Sequence, residues 1–134
     1  MRKRRILLID DEITFTQLLK INLEESGRYE VRVENQGTQG LASAREFQPD
    51  LILLDVIMPD TDGGEVAAQL EADDILKRIP VVYVTAVVSK GEVRDHRGKI
   101  GGRSFVAKPV SVEEIMACIE HSVGHGGEVL DGVA

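Results

Sequence analysis

The chain alternates short, unbroken aliphatic runs with stretches whose apolar residues recur at helical spacing. Four runs stand out: Ile6-Leu7-Leu8-Ile9, Leu51-Ile52-Leu53-Leu54, Val81-Val82-Tyr83-Val84 and Ser104-Phe105-Val106-Ala107. Runs of this length with so little polar interruption read as strands, the first three buried on both faces as in a parallel sheet and the last, Ser104 to Ala107, simply short. Tyr29 to Glu34 differs. Its Val31 and Val33 alternate with charged residues, which predicts a strand with one wetter face at a sheet edge. Between the strands, Ile13, Phe15, Leu18, Leu19, Ile21 and Leu23 predict a helix closed near Ser26-Gly27. Leu41, Ala42, Ala44 and Phe47 predict a second that stops before Pro49, and Val66, Ala67 and Leu70 a third within Gly63 to Asp73. Val112, Ile115, Met116, Ile119 and Val123 form the last stripe, opened by Ser111 with Glu114 three residues on as a capping box. Residues 89–102 fit no template. Four glycines and only Val93 and Ile100 as large apolar residues predict a weak helix at most.

Five strands alternating with helices predict an α/β fold, a doubly wound parallel sheet with helices on both faces. One domain is expected over residues 1–123, with residues 124–134 as a C-terminal tail once Gly124-His125-Gly126-Gly127 breaks the last helix.

Composition narrows the function. At 134 residues the chain holds one domain of ordinary size. Its net charge of −7 argues against a nucleic-acid surface, and the basic cluster Arg2-Lys3-Arg4-Arg5 reads as a solvated lead-in to the first strand. Cys118 is the only cysteine, so no internal disulfide can form and a cytoplasmic location is expected. No apolar run approaches the roughly 20 residues of a membrane span.

The candidate chemistry lies where the strands end. Asp10 and Asp11 follow the first strand, Asp55 the third, Thr85 the fourth and Lys108 the fifth. Taken singly, each has a dull reading as a cap, a loop hydroxyl or a solvated cation. In a parallel sheet all these ends share one edge, where open α/β folds keep their ligand crevices. Carboxylates gathered there repel one another unless a cation compensates, and an all-oxygen site suits Mg2+. One cysteine and three histidines, His96, His121 and His125, make no zinc pattern.

Asp10-Asp11-Glu12, Leu54-Asp55 with Met58-Pro59 and Asp62-Gly63, Val84-Thr85-Ala86 and Phe105-Val106-Ala107-Lys108-Pro109 follow one another in order, each at a strand end. This pattern resembles the receiver domains of two-component response regulators, over roughly residues 5 to 123. The resemblance implies a flavodoxin-like strand order of 2-1-3-4-5. It also implies a phosphorylation-controlled switch that takes a phosphoryl group onto Asp55 from a sensor histidine kinase or a histidine phosphotransfer protein. Such a chain is not an enzyme in the usual sense; it catalyses its own phosphorylation and slow autodephosphorylation. By the same resemblance, Asp11 ligates Mg2+ directly, Asp10 acts through water, and Asp55 and the Ile57 carbonyl complete the set. Lys108 pairs with a phosphate oxygen, Thr85 is the switch hydroxyl, Phe105 is the switch aromatic, and Lys108-Pro109 matches a peptide bond that is usually cis. Ile57 and Val87 fall two residues beyond the acceptor and the switch hydroxyl, beside the path of a hydrolytic water. Output is expected through a downstream protein target, with a homodimer possible. Two departures stand out: the glycine-rich, polar segment at the fourth helix, and a phenylalanine without a tyrosine hydroxyl at 105. The alternatives are a haloacid-dehalogenase-type phosphatase, whose paired aspartates are spaced two apart, and an interaction module independent of phosphorylation.

Overall fold

The computed structural model describes residues 2–124. The long aliphatic runs form the middle of one sheet. Strand β1 (Arg4–Ile9) is followed by helix α1 (Ile13–Glu25), β2 (Tyr29–Glu34), α2 (Gly40–Phe47), β3 (Leu51–Leu54), α3 (Gly63–Glu71) and β4 (Val81–Thr85). Next come α4 (Lys90–Asp95), β5 (Lys99–Ile100), β6 (Arg103–Ala107) and α5 (Val112–Ile119). The sheet order is β2-β1-β3-β4-β6-β5. All pairings are parallel except β5 with β6, and β2 lies at one edge as its alternating pattern predicts.

Period-2 geometry divides each buried strand between two cores. Ile6, Leu8, Leu51 and Leu53 pack with Leu19, Leu23, Ile115 and Ile119, under α1 and α5. Leu7, Ile9, Ile52 and Leu54 pack with Val66, Ala67 and Leu70, under α2 and α3. Residues 51–54 are therefore fully buried on both faces.

Three features differ from the sequence reading. The sheet has six strands instead of five, because Gly101 and Gly102, both at positive φ, turn Lys99–Ile100 back onto β6 as an antiparallel pair. Within residues 89–102 a helix does form: Ser89 and Glu92 make a reciprocal capping box, but α4 lasts six residues and buries none of them. The basic lead-in is tied down. Arg2 and the Arg5 amide bind Asp50 at 2.9 and 2.8 Å, and the Arg5 guanidinium donates to the Phe47 carbonyl. The tail expected over residues 124–134 falls outside the described residues from residue 125 on. No helix among the described residues is long and apolar enough to cross a membrane.

Candidate functional site

The residues that leave the sheet stay in its ladder for one more bond. The Asp10 amide donates to Glu34, the Asp55 amide to Ile9 and the Lys108 amide to Thr85, at 2.9 to 3.0 Å. Each side chain is thereby fixed on the same carboxyl-end edge. Asp10, Asp55 and Thr85 are buried, which is costly for polar groups unless they are bonded or paired.

Asp10, Asp11 and Asp55 each present a carboxylate oxygen within 4.8 Å of the others. At that distance a like-charge pair repels by about 3 kcal/mol for an effective dielectric near 20. Lys108 answers part of this charge. Its ammonium is 2.7 Å from Asp10 and 3.6 Å from Asp55, donates to Glu12 as well, and lies 4.6 Å from the centre of the Phe15 ring. Burial works against the Lys108 charge, but the bonds to Asp10 and Glu12 outweigh it and hold the ammonium above the ordinary lysine range. Burial pushes the Asp10 carboxyl up, opposed by the bonds from Lys108 and the Glu12 amide. Four carboxylates still face one ammonium. A hard divalent cation fits this surplus of oxygen donors, and Mg2+ is the natural choice.

The loop from Asp55 to Gly63 is held at both ends. The Val56 amide donates to the Asp55 carboxylate at 2.8 Å, and the Gly63 amide to the Val56 carbonyl at 2.6 Å. Ile57 and Asp62 form an antiparallel bridge, and Met58 is buried in the core beneath α2 and α3. Asp62 then caps α3 by accepting from the Glu65 amide. Asp60 reaches across to the next loop, accepting from the Thr38 amide and hydroxyl, both at 2.9 Å, and from the Gly37 amide. These bonds, the Thr38 amide foremost, hold the Asp60 carboxyl below the usual carboxylate range.

The Thr85 hydroxyl accepts from the Val87 amide at 3.4 Å. Phe105 packs on Tyr83, with ring centres 4.9 Å apart and planes tilted by 37°. Ile57 and Val87 are exposed, at 61% and 54%. The Lys108-Pro109 bond is cis, as the resemblance implied. Every strand-end residue picked out in the sequence thus lies on one edge, and Asp10, Asp11, Asp55 and Lys108 meet there. Glu12 enters the sequence pattern only as part of the acidic motif and Phe15 only as a helix position; the structure sets both against Lys108. Phe15 carries the same apolar signal as the core residues of α1, and nothing local marks its contact with residue 108.

A family model, the response regulator receiver domain, matches residues 6–120. The chain belongs to that family. It is 35% identical over 122 residues to the polar-differentiation response regulator DivK of Brucella anthropi, covering 90% of this chain and 97% of DivK. It is 39% identical over 115 residues to RpaA of Synechocystis, a DNA-binding dual master transcriptional regulator. That match covers 84% of this chain and 46% of RpaA, so the chain spans about half of that relative's length. Among solved structures, Vibrio cholerae CheY4 superposes with a TM-score of 0.76 at 25% identity, over 90% of this chain and 99% of that one. The receiver domain of the sensor histidine kinase PA1611 of Pseudomonas aeruginosa, solved with a magnesium ion in its active site cleft, gives 0.76 at 25% identity. It covers 92% of this chain and 99% of its own.

Proposed function

We propose that the chain is a phosphorylation-controlled signalling switch whose acceptor is Asp55. The observation that carries this reading is the meeting of three carboxylates within 4.8 Å, with the Lys108 ammonium 3.6 Å from Asp55. An oxygen of Asp55 attacks the phosphorus of a phosphohistidine on a sensor kinase or histidine phosphotransfer protein. The P–N bond breaks, the imidazole keeps the electron pair and takes up a proton, and Asp55 becomes an acyl phosphate.

Asp11, Asp55 and the Ile57 carbonyl would hold Mg2+, with Asp10 acting through water, and the bound ion would supply positive charge against the phosphoryl oxygens. Lys108, already beside Asp55, pairs with one of those oxygens as a point charge. The Thr85 hydroxyl turns to donate to another, and Phe105 turns inward as it does so. The altered surface is read by a downstream protein, and the net charge of −7 disfavours direct contact of this chain with nucleic acid.

Intact-mass spectrometry after incubation with acetyl phosphate and Mg2+ tests the reading. One stable phosphoryl adduct supports the switch. Steady release of phosphate without an adduct supports a phosphatase, and no reaction supports a phosphorylation-independent module.

A further inference from the structure

The helical run that becomes α2 opens with a single 3-10 turn, Gly37–Gln39, and passes straight into α2 at Gly40. The first amides of such a run have no partner within it, and a side chain at the cap position usually supplies one. Neither Gln36 nor Gln39, at the two cap positions here, bonds an amide with its side chain. The acceptor comes instead from Asp60, in another loop. One of its oxygens accepts from the Gly37 amide at 3.2 Å, and the other from the Thr38 amide and hydroxyl, both at 2.9 Å.

The same bonds close the loop that carries the Ile57 carbonyl. That loop is tied at its base by the Gly63-to-Val56 bond and by the bridge between Ile57 and Asp62. Residues 58–61 lie beyond the bridge as its tip. Among the described residues, the hydrogen bonds that fasten this tip to the rest of the molecule are those of Asp60. Apolar contact follows the same line. Gly37 is buried, and a Cβ there would lie 2.8 Å from Met58 Cε and 2.5 Å from Thr61 Cγ2, on either side of Asp60 in the chain.

We propose that Asp60 is a positioning residue for the metal site: by capping the start of α2 from the neighbouring loop, it fixes the tip and, through the bridge, the direction of the Ile57 carbonyl. The inference rests on the reading of Asp11, Asp55 and Ile57 as that site. It adds a residue that offers the ion no ligand, because its oxygens are taken up by the turn before α2. A carbonyl free to sample several directions binds a hard cation more weakly, since its ordering is then a cost of binding. The coupling is reciprocal by linkage. Whatever affinity Asp60 adds for the ion, the bound ion adds to the bonds at Gly37 and Thr38. Metal occupancy is thereby felt at the start of α2, a helix that supplies no ligand.

The test is calorimetric titration of the metal-free chain with Mg2+, beside Asp60→Ala, Asp60→Asn and Thr38→Val. Asp60→Ala should raise the dissociation constant about tenfold, within the range that partners of metal ligands carry. Asp60→Asn keeps one acceptor oxygen without the charge, and Thr38→Val keeps the charge without the hydroxyl bond, so both should fall between native and Asp60→Ala. Exchange of the Thr38 amide should slow when Mg2+ is added to the native chain, and should be fast and indifferent to Mg2+ in Asp60→Ala. Equal affinity in Asp60→Ala and the native chain would overturn the proposal, leaving Asp60 a helix cap alone. So would equal losses in Asp60→Asn and Asp60→Ala with none in Thr38→Val, the result of simple attraction by charge. A native chain that binds no Mg2+ would overturn the reading of the metal site itself, and the proposal with it.

Discussion

Gly63 packs directly on the backbone of Asp55: a Cβ at residue 63 would collide with the Asp55 carbonyl oxygen and lie 2.8 Å from Val56 Cα. The atoms in the way are backbone and cannot swing aside. The Gly63→Ala variant must therefore push the start of α3 away from the loop that carries Ile57. We expect a loss of about 1–3 kcal/mol in urea denaturation, as for other overpacked sites, together with slower phosphorylation of Asp55.

The crowded carboxylates predict a gain in stability when one is neutralised. Asp11→Asn removes repulsion with Asp10 and Asp55 and should stabilise the metal-free protein by about 1–3 kcal/mol. Added Mg2+ should raise the melting temperature of the native chain and raise that of Asp11→Asn much less. Thermal melts with chelator and with Mg2+ check both statements.

Alkaline stability depends on Tyr29 at the start of β2, whose hydroxyl donates to Glu120 at 2.6 Å. Burial, then that bond, pushes the phenol from 10.0 up to about 12. A raised folded-state value means that the neutral phenol supports the fold fully below pH 10.0, and that this support is lost as pH rises toward about 12. In denaturation series across that window, Tyr29→Phe should lose less stability with pH than the native chain.

On the proposed reading, Ile57 and Val87, both branched, apolar and exposed, set the lifetime of the phosphorylated state. Neither side chain has a group to orient a water by hydrogen bonding, and both would shield a phosphoryl group on Asp55 by bulk. Slow hydrolysis follows, and Ile57→Asn with Val87→Glu should speed decay of the phosphoprotein by about ten- to a hundredfold, for one to three kcal/mol of barrier. Decay of purified phosphoprotein in Mg2+ is the measurement. Equal rates would contradict the shielding role.

The site was legible in the sequence because each of its residues adjoins a strand that could be recognised. The aliphatic runs ending at Ile9, Leu54, Val84 and Ala107 mark the sheet, and parallel strands bring their carboxyl ends to one edge. Contacts between elements far apart in sequence left no such mark. Glu12 and Phe15 hold Lys108 across more than ninety residues, and neither stands out from an ordinary helix start or core position. The fourth helix was underestimated for a different reason. Its signal is the Ser89–Glu92 capping box, which is local and polar, whereas the apolar periodicity that marks the other helices is missing because α4 buries nothing. The two-residue β5 is too short for any pattern and is imposed by the turn at Gly101 and Gly102.

The central claim rests on Asp55, and site-specific phosphorylation tests it most directly. Native chain and Asp55→Asn are incubated with acetyl phosphate and Mg2+, and the acyl phosphate is trapped by borohydride reduction and located by peptide mass spectrometry. The expected result is a single modified residue at Asp55 in the native chain and no modification in the variant, with both giving the same far-ultraviolet circular dichroism. Undiminished labelling of Asp55→Asn, or a native label at any other residue, would contradict the account.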